Sequence, residues 1–239
     1  MAACLCLCAA IGAAQSTSQV IQGEEVENFL AQAKMMQFAA FKTIDEGPVP
    51  TKQLDGGVEL QFQDSWRTEV AAYELDKLIG LGMVPATIER TVDGKRGSLQ
   101  FWVTAQMDEG QRVKRKLSAP NPIMWNQQVA KMRLWDNLIY NTDRNLGNIL
   151  ITDSWQIRLI DHSRTFRPFE QLKDPKAPTT FSRSLLAKLE ELNEAMLKEH
   201  LGKYLSPYQI QGLLKRRDAI LARSKELIAE KGAGAVLYQ

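Results

Sequence analysis

Apolar residues recur at helical spacing near the start of the chain. In GEEVENFLAQAKM they include Val26, Phe29 and Leu30, and steps of three and four residues predict a helix. The run SWRTEVAAYELDKLIGLG has the same periodicity, with Ser65 as a candidate N-cap and Gly80 as a candidate C-terminal stop. These end signals make it the most clearly bounded helix of the first half.

Three further patterns of the first half predict strands. MQFAAFKTID is a short apolar run that ends in Lys42 and is bounded by a breaker cluster at 47–50, which predicts a strand ending at Lys42. LDGGVELQF alternates apolar and polar residues after a Gly-Gly pair, as in a hairpin or a loop edge. ATIERTV and SLQFWVT flank Asp93 and Gly94, and Asp-Gly between strand-like runs predicts a tight antiparallel hairpin.

The second half changes character. MDEGQRVKRKLSAPNP is polar and contains proline, which predicts a boundary segment, whereas WNQQVAKMRLWDNLIY and most of the chain after Pro178 have helical periodicity. The fold class we expect is α+β, with a small strand-rich lobe at 23–106 and a mainly helical lobe at 107–239. This is the layout of a two-lobed protein-kinase-like fold.

Composition restricts the partners. The 239 residues are 44% hydrophobic and 24% charged, and the formal net charge is only +2, so nothing global indicates nucleic-acid binding. A local basic set is most simply a solvated surface, and contact with a peripheral anionic surface is the alternative. Its members are Arg112, Lys114, Arg115 and Lys116.

The N-terminal segment 1–22 has two interpretations, a signal peptide and a disordered N-terminus. It is uncharged, and it holds all three cysteines, at positions 4, 6 and 8. Its apolar part ends near Ala14, like the apolar region and cleavage zone of a signal peptide, although it lacks the positive start. A signal peptide predicts a secreted or periplasmic protein without cysteine; otherwise we expect a cytoplasmic one. No other apolar run has transmembrane length.

The chemistry-bearing stretch is NTDRNLGNILI at 141–151, followed by Asp161 in RLIDHSRTF. Asp143 and Asn148 have the D-x-x-x-x-N separation that kinase catalytic loops use between a base and a metal-binding asparagine. The runs ILI and IRLI predict a hairpin around Asp153 and Ser154, which returns Asp161 beside Asn148. Two hard oxygen ligands then converge on one metal position.

A lysine and a glutamate complete the set that phosphoryl transfer requires. Lys42 ends a predicted strand, and Glu69 lies in the first turns of the well-bounded helix. Kinases use a strand lysine and a helix glutamate in this way to orient nucleotide phosphates.

DNLIYNTDRNLGNILI followed by LIDHSRTF resembles the catalytic loop and metal segment of phosphatidylinositol 3/4-kinase-like proteins, above all type II phosphatidylinositol 4-kinases. HipA-like and secretory-pathway kinases are more distantly similar, and EVAAYELDKLIGLGMVP and GSLQFWV look like uncharacterised bacterial members. The resemblance implies that Asp143 is the catalytic base and that Asn148 and Asp161 hold Mg or Mn. It also implies ATP as a cofactor, contacted by Lys42, which Glu69 positions. The interlobe segment from Leu99 to Gln106, including Gln100 and Trp102, would then offer backbone groups to adenine.

Three departures keep a second interpretation open. Asn145 stands where lipid kinases often have histidine and protein kinases lysine, and Ser163 replaces a glycine after the metal aspartate. No glycine-containing hairpin precedes the lysine strand. The first hypothesis is an ATP-dependent phosphotransferase that acts on a lipid, protein or small-molecule hydroxyl. The second is a catalytically weak or inactive nucleotide- or partner-binding module, and the third is an unrelated α+β domain in which NTDRNLGN is only a capped turn.

Overall fold

The computed structural model describes residues 20–32 and 39–239. Residues 1–19 of the N-terminal segment 1–22 therefore lie outside the described residues. The first part of the predicted strand that ends at Lys42 also lies outside them. The elements of the first half are α1 (Glu24–Gln32), β1 (Ala39–Lys42), β2 (Asp45–Leu54), β3 (Gly57–Ser65), α2 (Trp66–Ile79), β4 (Thr87–Val92) and β5 (Lys95–Phe101).

A three-stranded antiparallel sheet carries the lysine strand. Its order is β1-β5-β4, so β5 is central and Lys42 pairs with Ser98 at the end of β1. The hairpin predicted at Asp93 and Gly94 is confirmed, because Val92 pairs with Lys95 and the two turn residues have φ values of 48° and 75°. A two-residue turn with both φ values positive matches the right-handed twist of its strands.

Helix α2 confirms the best-defined helix prediction. The Ser65 side chain accepts a hydrogen bond from the Arg67 amide at its start, and Gly80 closes it with φ 64°. The helix is buried on most sides: Trp66, Tyr73, Leu75 and the carboxylate residue Glu69 are at most 2% exposed. A glutamate at such a depth needs partners, and the site described below supplies them.

Strand β1 ends at Lys42, as predicted, but the breaker cluster at 47–50, which was expected to interrupt regular structure, lies inside the next strand. Gly47, Pro48 and Pro50 lie within β2, which pairs with β3 in a two-stranded ribbon and has an irregular register between Glu46 and Val49. Each strand of such a ribbon has an unpaired edge, so proline can occur without removing a ladder hydrogen bond. A Cβ atom at Gly47 would lie 2.5 Å from the Phe62 carbonyl oxygen, so only glycine fits there.

The second half contains a small sheet and most of the helices. Strand β6 follows the interlobe segment and pairs with β7, which pairs in turn with β8. The elements are β6 (Met107–Asp108), α3 (Glu109–Lys114), α4 (Pro122–Leu138), the 3-10 turn η1 (Leu146–Asn148), β7 (Ile149–Ile151), β8 (Ile157–Leu159), β9 (Phe181–Ser182), α5 (Arg183–Glu191), α6 (Glu194–Leu201), α7 (Pro207–Lys231), α8 (Ala233–Val236) and β10 (Leu237–Tyr238).

Two predictions for loops in this half need correction. The polar boundary segment contains α3, which begins with a capping box between Asp108 and Gln111; this reciprocal pair can start a short helix without an apolar stripe. The segment after Asp161 has no helix or strand up to β9, but it is not a loose loop, because its start is firmly packed. Phe166 and Arg167 are fully buried there, and Arg216 of α7 donates a hydrogen bond to the Arg167 carbonyl oxygen.

The hydrophobic core joins both halves. Leu30, Tyr73 and Leu99 of the first half belong to the same buried cluster as Trp135 and Leu138 of α4. Across the part of the chain that the structure describes, no helix is both long enough and apolar enough to span a membrane.

Candidate functional site

Lys42 is the centre of a charged junction between the two halves. Its Nζ atom lies 2.5 Å from Glu69 Oε1 and 2.7 Å from Asp161 Oδ1. Strand β1 presents the lysine, the first turn of α2 presents the glutamate, and the segment after β8 presents the aspartate. The structure therefore brings the predicted pair of Lys42 and Glu69 together with Asp161, which was predicted from a different segment.

The three groups have shifted pKa values. Burial acts to lower the pKa of Lys42, but the charges of Glu69 and Asp161 outweigh it and raise that pKa. Burial likewise acts to raise the pKa of Asp161, and Lys42 outweighs it and lowers the pKa. Burial dominates at Glu69, whose pKa is raised against the opposing effect of Lys42. The lysine and the aspartate are thus held in their charged forms.

Glu69 has a second partner that fixes its orientation. The backbone amide of His162 donates a hydrogen bond of 3.0 Å to Glu69 Oε2, so the two carboxylate oxygens contact Lys42 and the residue after Asp161. His162 itself is fully buried, and burial together with the charges of Arg144 and Lys42 holds its pKa well below its usual range. A neutral His162 packs behind the junction as part of its scaffold.

Arg144 organises the loop that carries Asp143. Its guanidinium donates hydrogen bonds to Asp136 of α4 and to the carbonyl oxygens of Asn148 and Ile160, at 3.1 Å and 2.8 Å. One side chain therefore connects the helix before the loop, the loop itself and the strand before Asp161. Arg144 belongs to the loop motif, but its role could not be predicted from the motif alone. Five donors in one rigid fork explain why arginine is suited to this position.

Asn148 lies opposite Ile160, the residue before Asp161, as the predicted hairpin requires. Strands β7 and β8 pair Ile149 with Leu159, and the Ile160 amide donates a hydrogen bond of 3.2 Å to the Asn148 carbonyl oxygen. The Asn148 side-chain nitrogen donates to the Asp143 carbonyl oxygen at 3.1 Å. This bond uses the amide nitrogen and leaves the amide oxygen for another partner.

The donor set fits a divalent metal ion held together with a phosphate. Across the described residues no group of three acidic, histidine or cysteine side chains forms a metal site. One amide oxygen and one carboxylate, as at Asn148 and Asp161, are the protein ligands that Mg²⁺ typically takes when substrate phosphates supply the rest. Asp161 also has φ 58°, an uncommon backbone conformation for a non-glycine residue and one that clusters at functional sites.

Asn145 and Ser163, the two departures from the motif, have local structural partners. The Asn145 side chain accepts a hydrogen bond from the Gly147 amide and caps η1, so it is engaged away from Asp143. The Ser163 hydroxyl donates to Asp161 Oδ1 at 3.2 Å, while the Ser163 carbonyl oxygen accepts from the amide of Ser65, the cap of α2. Serine at 163 therefore helps to hold Asp161.

Two site residues escaped the sequence analysis. Arg164 Nη1 lies 3.4 Å from Asp143 Oδ2, and Arg164 Nη2 also pairs with Glu59 of β3. The sequence did contain a hint of the position of Arg164, because this residue lies only three positions after Asp161. No local pattern could indicate Glu59, which lies 105 positions from its partner.

The segment that connects the two lobes is shorter than predicted, because its first residues belong to β5. Leu99, Gln100 and Phe101 belong to β5, whose backbone is paired on both sides, and the Gln100 side chain donates to Thr87 Oγ1 at 2.9 Å. The connecting segment begins at Trp102, which is 60% exposed. Backbone contacts to adenine from Gln100 and Trp102 stay predictions, and Trp102 is the better placed of the two.

The basic set of the boundary segment lies on and just after α3. Arg112 pairs with Glu109 and donates to the Leu117 carbonyl oxygen, whereas Lys114, Arg115 and Lys116 are exposed. This exposure accords with a solvated surface, and contact with an anionic surface stays a prediction.

Comparison with known proteins supports the fold. No protein-family model and no curated protein matches the chain. Among solved structures, hydra Fam20, in a structure with sugar, is similar with a TM-score of 0.57 and 14% identity over 84% of this chain and 81% of that one. A Golgi casein kinase has a TM-score of 0.55 and 15% identity over 83% and 70% of the two chains. These similarities show a mixed helix and strand fold of the two-lobed kinase-like type.

Proposed function

We propose that the chain is an ATP-dependent phosphotransferase that moves the γ-phosphoryl group to a hydroxyl with the help of a divalent metal ion. The observation that carries the proposal is the junction of Lys42, Glu69 and Asp161. It joins a strand lysine, a helix glutamate and a metal-type aspartate across 119 positions of sequence. Phosphoryl transfer needs little more from a protein than such positioning and electrostatic stabilisation.

Each residue has one task in this proposal. Lys42, charged and held by Glu69, would contact the nucleotide phosphates. Asp161, through its carboxylate, and Asn148, through its amide oxygen, would hold the metal ion. A bound Mg²⁺ or Mn²⁺ ion would neutralise charge on the β- and γ-phosphates. Asp143, whose side chain is 38% exposed, orients the acceptor hydroxyl and accepts its proton.

Three classes of hydroxyl acceptor should be tested. The similar structures are a casein kinase and Fam20 with sugar, which makes an acidic protein such as casein and a glycan the first acceptors to try. The motif resemblance to type II phosphatidylinositol 4-kinases, with exposed basic residues on and after α3, adds phosphatidylinositol vesicles. All three acceptors present a hydroxyl to the same carboxylate.

A nucleotide-binding module with weak catalysis is the second candidate. Kinases cover the phosphates with a hairpin that precedes the lysine strand, and its backbone amides bind the phosphates. Among the described residues, hairpin β2–β3 instead follows Lys42, and helix α1 lies before it. This arrangement favours weak or absent phosphoryl transfer.

Two measurements separate the candidates. Thermal stabilisation by ATP with Mg²⁺ or Mn²⁺ tests binding, and transfer of radiolabel from [γ-³²P]ATP to casein, glycan or phosphatidylinositol tests the reaction. We expect Asp143→Asn and Asp161→Asn each to reduce transfer by at least about 100-fold. The matched control is Asp153→Asn, an exposed aspartate in the turn between β7 and β8, which should keep wild-type transfer.

The outcomes are distinct. Nucleotide stabilisation without transfer to any acceptor favours the binding module, and equal transfer by wild type and both site variants contradicts the assigned roles. Absence of stabilisation by ATP with either metal contradicts the phosphotransferase and the nucleotide-binding module. It leaves a partner-binding module, or an unrelated domain in which NTDRNLGN is only a capped turn.

A further inference from the structure

Arg164 connects the catalytic loop to hairpin β2–β3. Its guanidinium pairs with Glu59 through Nη2 and lies 3.4 Å from the Asp143 carboxylate through Nη1. It also stands over the Phe62 ring, 5.5 Å from the ring centroid. The Arg164 carbonyl oxygen accepts hydrogen bonds from the Thr142 amide and hydroxyl, at 3.3 Å and 3.0 Å. Main chain and side chain thus both contact the residues around Asp143.

Arg167 contacts the same glutamate as Arg164, but its role is purely structural. It is fully buried, pairs with the other oxygen of Glu59 and donates to the Gln61 carbonyl oxygen. Arg164 differs because its side chain is 21% exposed and extends to the partly exposed Asp143. Arg167 therefore anchors Glu59, and Glu59 holds Arg164 beside Asp143.

The guanidinium of Arg164 has donors to spare. A separation of 3.4 Å is an ion pair rather than a well-formed hydrogen bond. Its Nε atom is buried without a hydrogen-bond partner among the described residues. Planar, multiply donating arginine is well suited to hold one carboxylate while facing a second anionic group.

We infer that Arg164 is a positioning residue for phosphoryl transfer, which orients the Asp143 carboxylate. The inference rests on the proposed function. In the step it serves, the acceptor oxygen forms a bond to the γ-phosphorus of ATP while the bond from that phosphorus to the bridging oxygen breaks. ADP leaves with the electron pair, and the hydroxyl proton passes to Asp143. Arg164 keeps the Asp143 carboxylate directed toward that hydroxyl.

The test uses water as the acceptor and measures hydrolysis of Mg·ATP by the full chain. We expect Arg164→Gln to lower kcat by about 30-fold while KM for ATP changes by less than about threefold, because the lost contact acts on the acceptor side. The matched control is Arg67→Gln. Arg67 also stacks on an aromatic ring, Trp66, and pairs with a hairpin carboxylate, Asp45, but it lies away from Asp143, so kcat should stay at the wild-type value.

Two further variants distinguish positioning from folding. Arg164→Lys should stay as slow as Arg164→Gln, because one ammonium group cannot contact Glu59 and Asp143 in the forked way that arginine does. Added guanidinium ion should restore part of the activity of Arg164→Ala and none of that of Asp143→Asn. If Arg164→Gln does not fold, the folded lysine variant decides.

The results separate this inference from the proposed function. Wild-type kcat in folded Arg164→Gln or Arg164→Lys overturns the inference alone, as does a change confined to KM for ATP. A wild-type chain that binds Mg·ATP but transfers its phosphoryl group to no acceptor, water included, overturns the proposed function and this inference with it.

Discussion

Replacing Lys42 with methionine tests how much the charged junction contributes to folding. Methionine keeps most of the apolar stem and removes the ammonium group that contacts both carboxylates. Glu69, 1% exposed, then has only the His162 amide as a close donor among the partners described above, beside the negative charge of Asp161. A buried carboxylate that loses its cation is destabilised, and part of that cost is avoided when it takes up a proton.

The expected loss in the free energy of unfolding follows from how deeply Lys42 and Glu69 are buried. Breaking a fully buried ion pair costs about 3 to 5 kcal/mol, and breaking an exposed one costs about 0 to 1 kcal/mol. Lys42 is 33% exposed and Glu69 almost fully buried, so we expect Lys42→Met to lower the free energy of unfolding by about 2 kcal/mol. The control is Lys52→Met, which removes an exposed pair with Glu46 and should cost less than about 0.5 kcal/mol.

Urea unfolding followed by tryptophan fluorescence measures the stability of both variants, because Trp66 and Trp135 are buried, with at most 2% of each exposed. Glu69→Gln, made in the wild type and in Lys42→Met, completes a double-mutant cycle. We expect a coupling of at least about 1 kcal/mol between Lys42 and Glu69. A loss at Lys42 no larger than at Lys52, with no coupling to Glu69, would refute the reasoning that the junction stabilises the fold.

Two further predictions concern the network around the loop. Glu59→Gln should destabilise the chain at pH 7 by about 2 to 3 kcal/mol, because fully buried Arg167 loses its carboxylate partner. Burial acts to raise the pKa of Glu59, but hydrogen bonds from Thr142 and Arg164 and the charges of both arginines outweigh it and lower that pKa below 4.5. The difference between wild type and variant should therefore be constant above about pH 4.5 and shrink as pH falls through the lowered value; a difference that grows toward acid contradicts the assignment. Arg144→Gln should cost about 3 kcal/mol in urea unfolding, because the carbonyl oxygens it contacts lose their donors, whereas Arg183→Gln at the exposed start of α5 should lie within about 0.5 kcal/mol of wild type.

Local patterns predicted the elements that local interactions determine. The Asp93-Gly94 hairpin, the capped helix from Ser65 to Gly80 and the hairpin after Asn148 all formed as expected. Each depends on turn chemistry, capping or side-chain alternation within a few residues. The local signals failed at 47–50, where proline and glycine usually end a strand but here lie in an edge strand.

The D-x-x-x-x-N separation and the return hairpin were enough to place Asn148 beside the segment of Asp161. This part of the candidate site could be read from the sequence because its members are connected by short, regular structure. The roles of Asp143, Asn148 and Asp161 in catalysis and metal binding stay predictions, and the variants described above test them.

The sequence by itself determined the helices, the tight turns and the spacing of the polar loop, since all of these are set by interactions between near neighbours. Only the tertiary structure decided which distant charges meet. Lys42 pairs with Asp161 across 119 positions, and Glu59 pairs with Arg164 across 105. Many lysines and glutamates along the chain have similar local surroundings, and packing of the core selects the few that lie within ion-pair distance. The junction and the Glu59–Arg164–Asp143 connection are therefore properties of the folded core.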